Sequence, residues 1–132
     1  MIKKIDHIGI AVKSIEQALP AYTQGLGLAV RHLQDVPDQQ VRIAFLPAGE
    51  TDIELVEPTS ETRGVARFLE NRGEGIHHLC LEVDDIAAAL AQLAAQGMAL
   101  IDKKPRQGAE GLIAFVHPKA LHGVLIELVQ KK

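Results

Sequence analysis

The sequence predicts an α+β fold in which two βαβββ modules pair into one curved mixed sheet with a concave inner face. Three short segments of the first half recur in the second half, in the same order and about seventy residues later. They are residues 5–15 with 76–86, 42–46 with 112–116, and 52–56 with 125–129. Three matches in register indicate an internal duplication, because a single short match carries little weight.

The first repeated segment has the pattern of a strand that runs into a helix. Apolar side chains occupy every second position from Ile8 to Val12 and from Leu79 to Val83. This period of two is typical of a strand with one buried face. His7 and His78 occupy equivalent positions on the face opposite the apolar row, so we expect both histidines on the inner side of the sheet.

The first module is predicted to span residues 1–57. It contains a strand at 3–12, a helix at 15–26, and strands at 28–35, 40–47 and 52–57. Ser14 with Gln17 forms a plausible capping box at the helix start. Pro20 lacks the N–H group that a helix interior requires, and it predicts a kink.

The second module is predicted to span residues 76–132, after a linker at 58–75 that holds a short amphipathic helix. Its strand at 76–83 leads to a helix at 86–96 with Asp85 as N-cap, and strands follow near 99–103, 111–117 and 122–130. The 132 residues fit one domain built from the two modules.

Composition and charge argue against two kinds of partner, nucleic acid and membrane. The net charge is −3 and no basic block is present, so nucleic acid is not an expected partner. No segment approaches the length of a membrane span, and no membrane association is expected. The chain has a single Cys, which cannot form an internal disulfide, and we expect a cytoplasmic protein.

Each module also contributes one carboxylate to an otherwise apolar strand. Glu54 lies between Ile53 and Leu55, and Glu127 lies between Ile126 and Leu128. Burying a lone carboxylate is costly, so it needs a partner or a metal ion. Any one of these histidines or glutamates could be an ordinary strand residue, but four at matching positions favour a ligand set for one divalent ion.

The sequence resembles the vicinal oxygen chelate superfamily, which includes glyoxalase I and extradiol dioxygenases, and within it most closely the methylmalonyl-CoA epimerase family. The similarity covers nearly the whole chain. It is carried by residues 5–12, 54–58, 75–79, 83–86, 117–119 and 123–128. The segment His117-Pro118-Lys119, followed by residues 123–128, is the part most specific to the epimerases.

The resemblance implies a metal-dependent epimerase with this fold and a concave metal-binding face. One divalent ion (Co, Ni, Mn, Zn or Mg) would be held by His7, Glu54, His78 and Glu127. The substrate would be an acyl-CoA, and the protein would be a homodimer. The implied reaction moves the C2 proton of methylmalonyl-CoA through a metal-stabilised enolate, and Glu127 is the candidate catalytic base.

Two positions depart from the family pattern. Some epimerases have Gln where this chain has Glu54, and some have a second acid/base glutamate where this chain has Ile43. A symmetric two-glutamate mechanism therefore does not carry over, and the second acid/base group stays unidentified. The alternative is a glyoxalase I-like lactoylglutathione lyase, which uses nearly the same ligands, or another metal-dependent enzyme of the same fold. A non-catalytic small-molecule binding protein is the third candidate.

Substrate contacts are predicted at three further residues. Lys119 is a candidate for attracting the substrate carboxylate or a CoA phosphate, although a solvated surface lysine fits equally well. Gly108 and Gly111 flank a short loop whose backbone N–H groups could approach a ligand.

Overall fold

The computed structural model describes all of residues 1–132. The chain forms two compact units. The N-terminal unit is residues 7–77, and the C-terminal unit is residues 1–6 together with 78–132. The unit boundaries fall inside strands, so the predicted division into modules 1–57 and 76–132 stays a prediction.

The N-terminal unit follows the predicted βαβββ order and ends with a helix. Its strands lie in the order β2-β3-β4-β1, with β1 and β4 parallel and the other neighbours antiparallel. The elements are β1 (Ile2–Ala11, whose first residues belong to the other unit), α1 (Ile15–Pro20), β2 (His32–Val36), β3 (Val41–Ala48), β4 (Thr51–Pro58) and α2 (Val65–Arg72).

The C-terminal unit repeats this plan. Its strands lie in the order β5-β8-β7-β6, again with one parallel pair, β5 with β8, and antiparallel neighbours otherwise. The elements are β5 (Gly75–Val83, which begins in the N-terminal unit), α3 (Ile86–Ala95), β6 (Arg106–Gln107), β7 (Gly111–Val116) and β8 (Ile126–Lys131). The α+β class, the mixed strand pairing and the βαβββ order are confirmed.

The same hydrogen bonds begin the first helix of each unit. Ser14 Oγ accepts from the Gln17 N–H group, and Asp85 Oδ1 accepts from the Ala88 N–H group, as the capping signals predict. A second donor in each helix start is bound by a side chain of the last strand. The Ile15 N–H group donates to Glu57 at 2.7 Å, and the Ile86 N–H group donates to Gln130 at 2.8 Å.

Both helices cover an apolar face of their own unit's strands. Val12, Ile15, Ala44, Leu46 and Leu55 form the core under α1. The core under α3 contains Val83, Ile86, Leu90, Ala114, Val116 and Leu128. Because side chains alternate along each strand, the intervening residues face the other way and are available for a site.

Three element boundaries differ from the predictions. No strand forms at 99–103, where Leu100 makes only an isolated bridge to Val116. The Asp102 carboxylate instead accepts from the Phe115 N–H group at 2.9 Å, which takes a donor that a neighbouring strand would use. The predicted strands at 28–35 and 122–130 begin late, at His32 and Ile126.

The helix predicted at 15–26 changes its hydrogen bonding at Pro20. The α-helical part ends there, and residues Ala21–Gly25 form a π-helical turn in which the Leu26 N–H group donates to the Ala21 carbonyl. Pro20 has no N–H group to donate to the Glu16 carbonyl, so the regular ladder is interrupted at this point. No helix in the structure has the length and apolar character needed to cross a lipid bilayer.

Candidate metal centre

In the N-terminal unit, strands β1 and β4 bring one histidine and one carboxylate together. Gly9 lies directly opposite Glu54 in the parallel pair, and His7 is two residues before Gly9 on the same face. His7 Nδ1 lies 3.0 Å from Glu54 Oε2. His7 is 7% exposed and Glu54 is 3% exposed, so water does little to stabilise this carboxylate.

The C-terminal unit builds an equivalent pair on strands β5 and β8. Cys80 lies opposite Glu127, and His78 is two residues before Cys80. His78 Nε2 lies 3.1 Å from Glu127 Oε1, and both residues are buried. The predicted equivalence of His7 with His78 and of Glu54 with Glu127 therefore extends to register, contact distance and burial.

Each pair has the chemistry and spacing of two adjacent ligands of one ion. Ligand atoms about 2.1 Å from a metal and at right angles to each other lie roughly 3.0 Å apart. The nitrogen–oxygen distances of 3.0 and 3.1 Å in the two pairs match this spacing. Imidazole and carboxylate are also donors that divalent transition metals accept together. The residues of each unit fit a divalent cation.

A phenylalanine lies across the next strand from each glutamate. Phe45 on β3 is paired with Glu54, and Phe115 on β7 is paired with Glu127. Phe115 makes an edge contact with His78, with ring centroids 6.1 Å apart and planes at 80°. These rings form an apolar wall beside each His–Glu pair, which limits water and strengthens electrostatic interactions there.

An arginine rests over each of these rings. The Arg31 guanidinium carbon is 5.1 Å from the centroid of Phe45, and that of Arg106 is 5.5 Å from the centroid of Phe115. Arg31 Nη2 pairs with Asp52 at 3.1 Å, whereas Arg106 uses Nε to pair with Asp102 at 3.2 Å. Both units thus place a fixed cation near the candidate ligands.

The C-terminal unit also contains an ion pair between a buried carboxylate and a half-buried lysine, which sequence reasoning missed. Lys131 Nζ lies 2.6 Å from Asp6 Oδ1, and Asp6 is only 3% exposed. Burial alone would lower the pKa of Lys131, but the hydrogen bond to Asp6 and the charges of Asp6, Glu110 and Glu82 raise it above 10.5. Lys131 therefore carries a positive charge at neutral pH.

The three residues predicted to contact substrate are Lys119, Gly108 and Gly111, and the structure shows what surrounds each of them. Lys119 is exposed on a short 3₁₀ turn, Pro118–Leu121, after β7. The Gly108 N–H group donates to the Gly111 carbonyl at 2.8 Å, so that donor is used inside the β6–β7 turn. A side chain at Gly111 would collide with the Gln130 carbonyl, which explains the glycine sterically. Their substrate roles stay predictions.

Ile43 has the environment of a core residue. It is buried on β3 and paired with Val56, on the same side of the strand as Phe45. The isoleucine at this position, which departs from the family pattern described above, is therefore packed among apolar side chains. In the C-terminal unit, Ile113 takes the matching place on β7, paired with Val129.

The residues that sequence reasoning missed around the pairs are Asp6, Lys131, Arg31, Asp52, Asp102 and Arg106. The two arginines fall outside the repeated segments, so the duplication gave no signal for them. Lys131 lies four residues after Glu127, so alternation along the strand places both side chains on the same face of β8. This spacing could have indicated a second charged group there.

Comparison with known proteins places these features in a family. A sequence model of the Glyoxalase/Bleomycin resistance protein/Dioxygenase superfamily matches residues 6–115. An ethylmalonyl-CoA/methylmalonyl-CoA epimerase of Cereibacter sphaeroides is 41% identical, with 98% of this chain and 99% of the relative covered.

Two solved structures have the same fold along almost the whole chain. The crystal structure of methylmalonyl-CoA epimerase from Mycobacterium tuberculosis superposes with a TM-score of 0.94 at 37% identity, covering 99% of this chain and 89% of that one. A methylmalonyl-CoA epimerase in complex with methylmalonyl-CoA and NH4+ superposes with a TM-score of 0.95 at 36% identity, covering 99% and 96%.

Proposed function

Because the chain belongs to the glyoxalase/bleomycin resistance protein/dioxygenase superfamily, we propose that it is an isomerase that interconverts (R)- and (S)-methylmalonyl-CoA. The observation that carries the proposal is the pair of buried histidine–carboxylate contacts at equivalent positions of the two units. Relatives whose names include methylmalonyl-CoA epimerase, and which align along nearly the entire chain, support the substrate.

The proposed site consists of His7, Glu54, His78 and Glu127 holding one divalent ion. When bound, such an ion would supply positive charge to stabilise the oxygen of an enolate. The thioester and carboxylate oxygens of the substrate are donors of the kind that such an ion would accept. A carboxylate at position 54, in place of a neutral amide, would hold the cation more tightly and leave it a weaker Lewis acid.

Glu127 is the proposed group that removes the C2 proton. Its Oε1 atom lies 3.1 Å from His78 Nε2, so this carboxylate lies directly beside the other proposed ligand of the C-terminal unit. The carbon between a thioester and a carboxylate is only weakly acidic, so a carboxylate base needs the enolate charge to be stabilised at the same time. The second acid/base group is left unassigned, since Ile43 provides no proton acceptor.

The proposal is tested by proton exchange in deuterated buffer. The purified protein is loaded with Co²⁺, mixed with one epimer of methylmalonyl-CoA and followed by NMR. We expect deuterium at C2 with loss of stereochemistry, and we expect both to stop when the metal is removed by a chelator and to return when it is restored.

The glyoxalase-like alternative predicts a different result in the same protein. One metal per chain without exchange of methylmalonyl-CoA, combined with turnover of the hemithioacetal of methylglyoxal and glutathione, would replace the proposed substrate. Metal binding with no turnover of either compound would favour a binding protein.

We also propose that the protein is a cytoplasmic homodimer. Several large apolar side chains remain exposed on the single chain, Leu26 and Ile76 most of all, and burying them is a reason to associate. Sedimentation at micromolar concentration should give twice the mass of the chain, and a monomer would contradict the proposal. The one cysteine, Cys80, is buried and forms no disulfide, as a reducing compartment allows.

A further inference from the structure

Arg106 is held in a fixed orientation by two neighbours in the C-terminal unit. Its Nε atom pairs with Asp102 Oδ1 at 3.2 Å, and its guanidinium carbon lies 5.5 Å from the centroid of Phe115. Asp102 is itself anchored, because its other oxygen accepts from the Phe115 N–H group at 2.9 Å. The guanidinium is therefore oriented by two residues, Asp102 in the segment before β6 and Phe115 on β7.

The terminal nitrogens of this guanidinium are available to bind another group. The ion pair with Asp102 uses Nε, and the structure gives the two Nη groups no carboxylate partner. The Arg106 side chain is 41% exposed, so a ligand can reach it from solvent. A guanidinium fork with both terminal nitrogens unoccupied matches two oxygens of a carboxylate or a phosphate.

Phe115 connects this cation to the candidate metal centre. The same ring that carries Arg106 contacts the His78 ring and lies across the strand pair from Glu127. Arg106 is thus one aromatic side chain away from two proposed ligands. A molecule that reaches His78 and Glu127 and extends toward β6 would bring its own charged groups to the guanidinium.

We propose that Arg106 binds an oxyanion of the acyl-CoA substrate and sets the affinity for it, an inference that rests on the proposed function. The chain has a net charge of −3, and the substrate is itself strongly anionic, so binding requires fixed positive charge near the site. The oxyanion is either a phosphate of the CoA or the free carboxylate of the acyl group. Both have the same chemistry and are separated by the choice of substrate.

The test compares Arg106→Met with Arg42→Met on two substrates. Arg42 is the matched control, because its Nε atom pairs with Asp35 at 3.3 Å and its side chain is exposed to the same degree, but it has no phenylalanine ring beneath it. The substrates are methylmalonyl-CoA and methylmalonyl-pantetheine, which keeps the carboxylate and lacks every phosphate.

For the Arg106 variant we expect KM for methylmalonyl-CoA to rise about 10- to 100-fold with kcat nearly unchanged, as expected for loss of one charge-assisted contact. A rise for methylmalonyl-CoA alone assigns the phosphate, and a rise for both substrates assigns the carboxylate. Arg106→Lys should recover only part of the affinity, because lysine keeps the charge without the fork. KM values within twofold of wild type for both substrates would overturn the proposal.

A binding measurement separates this proposal from the epimerase assignment. Dimethylmalonyl-CoA keeps the acyl carboxylate and the CoA phosphates but has no C2 proton to exchange, and its Kd is measured by calorimetry on the metal-loaded wild type and variants. Weaker binding to the Arg106 variant, in a protein that does not turn over methylmalonyl-CoA, would keep the anion site and reject the epimerase. Turnover by the wild type with KM and Kd unaffected in the variant would reject the anion site alone.

Discussion

The two units build the same histidine–carboxylate pair in different surroundings. In the N-terminal unit Gly9 lies opposite Glu54, and His7 uses Nδ1 toward the carboxylate. In the C-terminal unit Cys80 lies opposite Glu127, and His78 uses Nε2. The spacing within the pairs is nevertheless the same to 0.1 Å, so the ligand geometry is the feature that both halves share.

The aromatic rings differ in what they contact. Phe45 stacks on His32, with centroids 4.5 Å apart and planes at 13°, whereas Phe115 touches the candidate ligand His78 itself. In the N-terminal unit Arg31 uses one end of its fork on buried Asp52, while Arg106 keeps both ends open. Under the proposed function, this difference would divide the roles, with the N-terminal unit contributing metal ligands and the C-terminal unit also binding substrate.

The largest expected effect comes from removing either histidine. His7→Ala and His78→Ala should each lose nearly all bound metal and turnover, because a four-ligand site that loses one imidazole binds its cation far more weakly. Metal per chain after gel filtration and deuterium exchange at C2 measure the two losses. Wild-type turnover in either variant would contradict the shared site.

The control for these variants is His32→Ala. His32 is exposed and stacks on Phe45 without a carboxylate contact, so its loss should leave one metal per chain. Circular dichroism on all three proteins separates loss of metal from loss of fold. A metal content that falls equally in the His32 variant would show that the ring wall, rather than the imidazole ligands, determines binding.

The next effect distinguishes the two glutamates. Glu127→Gln should lower kcat about 10²- to 10⁴-fold, because it removes the proposed proton acceptor while keeping the shape of the side chain. Glu54→Gln should stay within about tenfold of wild-type kcat once the metal is saturating, since an amide oxygen still serves as a ligand. Exchange rates at several Co²⁺ concentrations measure both, and equal losses in the two variants would contradict the division of roles.

The parts that the sequence predicted are those in which the two halves resemble each other. Repeated segments made His7 equivalent to His78 and Glu54 equivalent to Glu127, and the structure gives both halves the same His–Glu contact. The N-caps Ser14 and Asp85 begin the helices where the sequence predicts them. Because each sequence pattern occurs twice, an interpretation that fits both copies is better supported than one drawn from a single segment.

The parts that the sequence missed are those in which the halves diverge. The segment at 99–103 looked like a strand by its apolar residues, but an Asp102 side chain took the hydrogen bond that a strand would need. Arg106 has no counterpart at an equivalent position, since Arg31 reaches its ring from the segment before β2. Such contacts depend on how a loop closes in three dimensions, which periodicity does not encode.

The smallest expected effect tests a charge that only the C-terminal unit has. Gly111 pairs with Lys131, and the matching pair in the N-terminal unit is Val41 with Pro58, so Lys131 replaces a proline. Lys131→Met should lower the free energy of unfolding at pH 7 by about 1–3 kcal/mol, because the buried Asp6 carboxylate loses an ammonium 2.6 Å away. Urea denaturation measures the difference.

The charge of Lys131 also predicts how the difference in unfolding free energy between wild type and the Lys131 variant changes with pH. Burial lowers the pKa of Lys131, but the hydrogen bond to Asp6 and the nearby carboxylate charges together raise it above 10.5 in the folded protein. Its contribution to stability is therefore complete below pH 10.5. The difference between wild type and the Lys131 variant should stay constant from pH 7 to 10 and shrink as pH rises through the folded-state pKa. Lys3→Met is the control, because Lys3 is mostly exposed and lies 3.5 Å from Glu82, a contact that contributes under about 1 kcal/mol. A Lys131 effect no larger than that of Lys3 would mean that the Lys131–Asp6 pair does not distinguish the two units energetically.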